Sequence, residues 1–328
     1  MLTVAQIRIS RDASSLETDA APDGGASKSS SSTRLGRLVS PPGDTGLSPQ
    51  KSRCLFIWNT LMAAFHTAFF LVVLLVGNRD LSVPIYKTDL NFTERAENET
   101  DPSVPAWTLV PEYVFLTDLL LTWLVSSFFA LSALAHFGNA FLWRSFYDRG
   151  ISQCRTPSRF VEYFFSASVM IVVLSYQVGV REYGLLLALA GLIAATMSHG
   201  YLVELVARPV SEEEWERSLS ERLAGYWLGW IPQLLAWGII AVSFYDQDYS
   251  SAPNPPPYFV YIILWGEAAL FASFGFVMLW QQCNPPKRYY LGELAYQTLS
   301  LVSKGFLGVV MLSSVLMLGS FEESLTSA

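Results

Sequence analysis

Seven long apolar segments limit the folds that this chain can adopt. They lie at 54–76, 113–141, 160–180, 183–206, 223–245, 258–281 and 291–319. Each approaches or exceeds the roughly 20 apolar residues that a helix needs to cross a bilayer. Only 15% of the residues are charged, whereas a soluble domain carries about 25%. The sequence therefore predicts an all-α membrane protein, a bundle of seven transmembrane helices.

These segments divide the chain into three parts. Residues 1–50 are polar and contain the serine run "ASKSSSSTRLGR", so they are predicted to be a disordered N-terminal tail. Residues 51–320 form the predicted transmembrane domain, in which a long loop (77–112) follows the first helix, and residues 321–328 form a C-terminal tail. No cleavable signal peptide precedes the first apolar run, which is therefore expected to serve as an uncleaved anchor.

Basic residues predict the direction of insertion. If the N-terminus is cytoplasmic, 16 of the 21 lysines and arginines face the cytoplasm, four face outward, and one, Lys304, lies within a span. Cytoplasmic loops carry an excess of lysine and arginine. The chain is thus expected to have a cytoplasmic N-terminus and an extracellular C-terminus, in the plasma membrane.

Two other features agree with this direction. The 77–112 loop contains the sequons "NFT" at Asn91 and "NET" at Asn98, which are acceptors only if the loop is lumenal. Cys54, Cys154 and Cys283 all fall on the predicted cytoplasmic side, where disulfides are rare. We expect all three cysteines to remain thiols.

One lysine lies deep inside the last segment. Glu293, Gln297, Ser300 and Lys304 are spaced four, three and four residues apart, which places them on one helical face. Lys304 is roughly ten residues from the nearer end of its span, or about 15 Å at 1.5 Å per residue, too deep to reach the interface readily. Helical side chains incline toward the N-terminus, so the amine is expected to point toward Ser300. A buried lysine of this kind is predicted to be functional and to need a counterion.

The third segment contains a candidate counterion. In "RTPSRFVEYFFSASVMIVV", Arg155, Arg159, Glu162 and Ser166 share one face. Glu162 is therefore the candidate carboxylate. Its alternative interpretation is an interfacial glutamate paired with Arg159.

Two histidines lie at a similar depth. His66 is in the first segment and His136 in the second, near the level expected for Glu162 and Lys304. Two interpretations are open for these histidines: they belong to a shared proton network, or they are hydrogen-bonded structural residues. The facing of His199 in the fourth segment is not determined by the pattern.

Three acidic residues also lie within the predicted spans. Asp118 and Glu204 are near span ends and are expected to be solvated. Glu267 is deep in the sixth segment beside small residues, so contact with protein rather than lipid is expected.

Other classes of function leave no signature in the sequence. It contains no hydrolase elbow, phosphate-binding loop, HExxH motif or Cys/His metal cluster, and no basic patch with interleaved aromatics. We therefore expect neither an enzyme, nor a metal site, nor a nucleic-acid partner. Aromatic residues are abundant on the fifth and sixth segments, and a subset could line a slot for a long, flat apolar ligand.

Specific strings resemble one family of retinal proteins. "RFVEYFFSASVM" (159–170) is similar to the third-helix motif of heliorhodopsins, "ELAYQTLSLVSK" (293–304) to their seventh-helix motif, and "LFASFGFVMLWQQ" (270–282) to their sixth helix. The inverted orientation is also typical of that family. The resemblance covers about residues 51–320.

The resemblance implies a cofactor and a set of site residues. Lys304 would carry all-trans retinal as a protonated Schiff base, with Glu162 as counterion and Ser300 as a hydrogen-bond partner. His66 and His136 would belong to a polar network that holds the released proton. Further expected cofactor contacts are Ser166, Met170 and Trp237. Light would isomerise the retinal to 13-cis and start a slow photocycle, and the protein would be a homodimer.

Three functions remain open from the sequence. The first is a light sensor that moves no ions and signals through an unknown partner. The second is a light-activated proton conductor, which the extra membrane acids Glu204 and Glu267 would suit. The third is a lipid- or protein-interaction scaffold that has kept the fold but lost the pigment.

Overall fold

Seven long helices form the body of the protein in a computed structural model that describes residues 47–94, 106–206, 218–246, 255–284 and 288–317. All seven are long and apolar enough to cross a membrane. They are α1 (Pro49–Val76), α2 (Leu121–Phe137), α3 (Pro157–Gln177), α4 (Tyr183–Val206), α5 (Ala224–Tyr245), α6 (Tyr258–Cys283) and α7 (Tyr289–Met311). Most of the predicted N-terminal tail, Asn98 and the predicted C-terminal tail lie outside the described residues.

Local signals account for several helix boundaries. Ser48 caps α1, with its hydroxyl accepting from the Lys51 amide at 3.4 Å, and Pro49 opens the first turn. Pro157 opens α3 in the same way, because proline has no amide hydrogen to leave unpaired at that position. Short helices, Arg144–Ser152 and Leu219–Arg222, follow α2 and α4, and π-helical turns extend α2 and α7 through Gly138–Leu142 and Leu312–Leu316.

The start of the second span differs from the sequence prediction. A β-hairpin replaces the first part of that span, with β1 (Ser82–Glu94) antiparallel to β2 (Trp107–Leu120). The prediction that the span starts at 113 is therefore wrong, because α2 begins at Leu121. The apolar residues of β2 satisfy their backbone groups by cross-strand pairing, and Pro111 disfavours a helix there. Asp118 is consequently an exposed strand residue.

The helices close into a ring. α1 to α5 pack in chain order, each on its neighbour, and α7 packs against both α1 and α6. α5 and α6 are bridged by aromatic pairs, Trp230–Phe276, Trp237–Phe271 and Phe244–Tyr261. α3 contacts α2, α4 and α6, so its side chains can reach most of the bundle interior.

The two ends of the bundle differ in character. The hairpin end, where α1 finishes and α2 starts, holds the largest apolar core, which includes Phe128, Ile171, Leu189 and Met311. The opposite end, where α1 starts and α3 starts, is called the tail end here. Buried charged groups of α3, α4 and α7 meet there, and the candidate site lies between them and the apolar core.

Candidate functional site

Lys304 lies in the bundle interior, on the face of α7 that the spacing predicted. Only 3% of the residue is exposed. Its Nζ donates to Glu162 Oε1 at 2.8 Å and to Ser300 Oγ at 2.9 Å. The amine therefore points one turn back along α7, as the inclination of helical side chains leads one to expect.

Glu162 of α3 is held by more than the lysine. Ser132 of α2 and Ser166 of α3 each donate to Glu162 Oε1 at 2.6 Å. Three donors thus converge on one carboxylate oxygen, which stabilises its ionised form in a buried position. Arg159 makes its ion pairs elsewhere, with Glu204 and Glu293, so within the described residues the alternative pairing with Glu162 is not adopted.

The two histidines stack between α1 and α2. The His66 and His136 rings are nearly parallel, with centroids 5.6 Å apart. His136 Nδ1 lies 2.8 Å from Asn59 Oδ1. Both ring nitrogens of His66 are buried without a hydrogen-bond partner in the described part of the chain. A buried polar ring in this state is suited to bind water.

A second buried network crosses the tail end of the bundle. The Arg159 guanidinium pairs with Glu204 of α4 through one nitrogen and with Glu293 of α7 through another. Tyr289 donates to Glu204 Oε1 at 2.6 Å, and the Thr156 amide donates to Glu204 Oε2 at 2.7 Å. The network joins α3, α4 and α7 one turn from the lysine site, since Arg159 and Glu162 are three residues apart.

The expectation of a solvated Glu204 is wrong. The residue is 0% exposed, because Arg159 and Tyr289 enclose it. Glu293 is enclosed in the same way, and it accepts from the Tyr147 hydroxyl at 3.0 Å. Burial, followed by the Glu293 carboxylate, raises the pKa of the Tyr147 phenol well above its usual value. Tyr147 therefore stays protonated and remains a donor to Glu293.

Glu267 of α6 contacts α7 at Ser303, the residue before Lys304. It is 0% exposed, and Ser303 donates to its Oε2 at 2.7 Å. Its Oε1 has no hydrogen-bond partner among the described residues. Glu267 thus contacts protein, as expected. The serine that donates to it, Ser303, directly precedes Lys304 in α7.

Two cavities adjoin the site. The larger lies between α3, α4, α5, α6 and α7. Its lining is largely aromatic and small, with Phe160, Tyr163, Trp230, Phe271, Phe274 and Gly275 among the residues. The smaller is polar and lies beside His136, Arg159, Glu162 and Gln297.

Tyr163 connects the lysine to both cavities. It lines each of them, and its ring centroid is 5.0 Å from Lys304 Nζ. The amine thus lies next to Tyr163, a residue of the apolar cavity, and its ion-pair partner Glu162 lines the smaller, polar chamber. This arrangement fits a long apolar ligand with an aldehyde group, because the amine can condense with the aldehyde while Glu162 balances the charge on nitrogen.

The remaining predicted residues take different positions. Met170 and Ser166 are buried on α3. Trp237 is half-buried on α5, with its ring edge-to-face against Phe271 at 5.5 Å and its buried Nε1 lacking a partner in the described residues. His199 is half-buried on α4, lines the larger cavity and lies within hydrogen-bond distance, 2.8 Å, of the Ala195 carbonyl.

Sequence reasoning missed two members of the site. Ser132 contacts the candidate counterion, and Asn59 contacts His136. A signal was present for both, because Ser132 is one helical turn before His136 and Asn59 is two turns before His66. Polar residues at such spacings on apolar helices mark an inward face.

Comparison with known proteins gives one match. The family model described as heliorhodopsin matches residues 55–316. The match covers all seven long helices and the hairpin. No curated protein matches the chain.

Proposed function

The chain belongs to the heliorhodopsin family, and from this we propose that it is a photoreceptor rather than an enzyme, with all-trans retinal bound to Lys304. Heliorhodopsins bind retinal, so retinal is the expected cofactor. The observation that carries the proposal is the buried contact of 2.8 Å between Lys304 Nζ and Glu162 Oε1, with the Tyr163 ring, which lines the neighbouring apolar cavity, 5.0 Å from the amine.

The residues present fit that cofactor. When bound, retinal supplies visible absorption and light-driven isomerisation from all-trans to 13-cis. Phe271 and Trp230 offer flat surfaces along the cavity, and Trp237 and Met170 are proposed to contact the chain of the ligand. Ser300 orients the nitrogen of Lys304 from one turn below.

The polar groups around the nitrogen can stabilise and move its proton. Glu162, fixed by Ser132 and Ser166, favours a positive charge on that nitrogen. With a ligand attached to Lys304, Glu162 would hold the proton on that nitrogen, and any movement of the nitrogen away from the carboxylate would weaken this pairing. We propose that the released proton passes to the polar chamber beside Glu162, where His136 and His66 hold it during a slow signalling cycle.

The distribution of basic residues and the exposed apolar surface support the orientation and the dimer that we propose. Exposed basic residues such as Arg53, Arg149 and Arg288 lie at the tail end, which supports a cytoplasmic N-terminus in the plasma membrane. An exposed apolar face on the hairpin supports a homodimer. The signal would pass to a partner at the cytoplasmic side.

Substitution of the lysine tests the proposal. Wild-type protein expressed with all-trans retinal is expected to show a visible absorption band, and Lys304→Ala is expected to lose it, because alanine cannot form the covalent link. Absorption spectra of purified protein measure both. Lys51→Ala, at an interfacial lysine outside the site, is the matched control and should keep the band.

Two results would reject the pigment. One is the absence of a visible band in the wild type, which would favour a scaffold that has lost its cofactor. The other is a band that survives Lys304→Ala, which would place the attachment at another residue.

Glu267 favours a second candidate function, light-activated proton conduction. Its buried carboxyl group accepts from Ser303, one residue before Lys304, and so offers a second acid near the lysine in addition to Glu162. Buried acids of this kind mark proton pathways in membrane proteins. Glu204 is engaged with Arg159 instead, so it contributes less to this candidate.

Photocurrents distinguish conduction from sensing alone. Under voltage clamp, a conductor gives light-evoked currents that reverse with the proton gradient, and Glu267→Gln should abolish most of the current, because glutamine cannot exchange a proton. Glu112→Gln, on the exposed hairpin, is the control. Complete absence of current in the wild type would leave the sensor as the function, and a current unchanged by Glu267→Gln would remove this acid from the path.

A further inference from the structure

The hairpin extends well beyond the body of the protein. Near the bundle, Val83 and Ile85 are buried, and the Tyr86 amide donates to the Arg181 carbonyl at 3.0 Å. From Thr88 to Glu94, every residue of β1 is exposed. We call the part from Thr88 to Glu94, with its partners on β2, the arm.

The arm has one apolar and one polar face. Cross-strand partners share a face, and alternate residues point to opposite faces. The mainly apolar face contains Leu90, Phe92, Trp107, Leu109, Pro111 and Tyr113, together with Thr88 and Glu94. The mainly polar face contains Asp89, Asn91, Thr93, Thr108 and Glu112, with Val110 opposite Asn91. A large polar group added to the second face would leave the first face free.

The "NFT" sequon lies on the polar face. Asn91 and Thr93 are two residues apart in a strand, so both side chains point the same way. Both are exposed. Asn91 is five residues past Tyr86, whose amide bonds to the Arg181 carbonyl, or about 16 Å along the strand at roughly 3.3 Å per residue. The acceptor therefore lies beyond this contact with the bundle.

We propose that Asn91 is an acceptor for an N-linked glycan. The proposal rests on the orientation proposed above, because the modification requires the hairpin to be lumenal during synthesis. Its chemical class is transfer of an oligosaccharide from a lipid-linked pyrophosphate donor. The arm offers the sequon in extended form with the outer edge of β1 unpaired from Lys87 outward within the described residues.

The transfer balances without any redox step. The Asn91 amide nitrogen forms a bond to the anomeric carbon of the first sugar. The bond from that carbon to the pyrophosphate oxygen breaks, and the lipid pyrophosphate leaves with the electron pair. The amide loses one proton to the transferase. The product is a neutral sugar on the same face of the arm as Thr93, the residue that completes the sequon.

Expression in a eukaryotic cell tests the site directly. Asn98→Gln removes the second sequon, which lies outside the described residues, and this variant should retain one glycan, seen as a gel-mobility shift on treatment with peptide N-glycosidase F. Adding Asn91→Gln or Thr93→Val should abolish the shift. Adding Thr93→Ser should keep it, because serine preserves the sequon at the same exposed position. Absence of any shift in Asn98→Gln would overturn the proposal.

An independent label separates this proposal from the orientation on which it rests. In a Cys54→Ser, Cys283→Ser background, Asp89→Cys on the same face of the arm should react with a membrane-impermeant maleimide in intact cells. Labelling from outside without a glycan would overturn the acceptor site alone. Labelling only after permeabilisation would overturn the orientation and the site together. The visible band of each variant, unchanged if the fold is intact, checks that the bundle has formed.

Discussion

Lys304 and Glu162 form a buried ion pair whose value is chemical rather than stabilising. Removing two such charges from water costs several kcal/mol per ion, and an apolar pair of similar size is often as stable. The attraction at 2.8 Å and the donors Ser132 and Ser166 offset part of that cost. Retaining the pair makes sense when the nitrogen must carry a charge that can be moved.

Neutralising the counterion should shift the colour. In the retinal-bound protein, Glu162→Gln is expected to move the absorption maximum strongly to the red, because the ground-state positive charge near the nitrogen loses its nearest anion. Absorption spectra of the purified variant measure the shift.

Glu267→Gln is the matched control for colour. Its carboxyl group contacts Ser303 instead of Lys304, so its shift should be the smaller of the two. An unchanged spectrum in Glu162→Gln together with a large shift in Glu267→Gln would reverse the two assignments.

The sequence predicted the neighbours of Lys304 along α7 better than those across the bundle. Ser300 follows from a spacing of four residues. Glu162 touches the lysine because α3 begins at Pro157 and the lysine side chain inclines toward the tail end. Ser132 was missed because its contact with Glu162 depends on how α2 is rotated relative to α3. The sequence of a single helix does not specify that rotation.

At the scale of elements, α3 supports two networks from one face. Arg159 faces α4 and α7, and Glu162, one turn along, faces α2 and α7. The sequence predicted the shared face but not the division of partners. Glu204 was expected at a wet helix end, yet the residues around Thr156 and Tyr289 cover it. Such cover comes from the arrangement of neighbouring elements, not from position within a span.

Removing the shared cation should destabilise the bundle. Arg159→Met leaves the Glu204 and Glu293 carboxyl groups buried without their partner, a loss of about 3–5 kcal/mol in the free energy of unfolding. Arg159→Lys keeps the charge but cannot bridge two carboxylates equally well, so its free energy of unfolding should lie between those of the wild type and Arg159→Met. Detergent-denaturant titration followed by loss of the visible band measures each value.

An exposed pair provides the comparison for Arg159. Lys87 and Asp89 are 2.7 Å apart with side chains 43% and 49% exposed, so Lys87→Met should cost about 0–1 kcal/mol. A cost for Arg159→Met no larger than this would mean that the buried network does not hold the three helices together.

At the scale of the whole molecule, length and hydropathy predict the seven crossings but not the hairpin. A span needs only a long apolar run, and such runs are visible in the sequence. β2 merges with the run of α2, so its separation depends on pairing with β1, whose residues are distant in the chain. The larger cavity is likewise lined by residues of five helices, so the sequence of any one segment does not predict it.

The position of the paired charges along the chain has a consequence for biosynthesis. Arg159 and Glu162 leave the ribosome early, whereas Glu293 and Lys304 belong to the last helix. Until that helix is inserted, Glu162 lacks its partner Lys304 and Arg159 lacks Glu293, although Glu204 of α4 is already in place. An unpaired ion within the membrane is costly, so the two networks are completed when α7 joins the bundle. A chain that stopped before Tyr289 would leave each network without one of its partners.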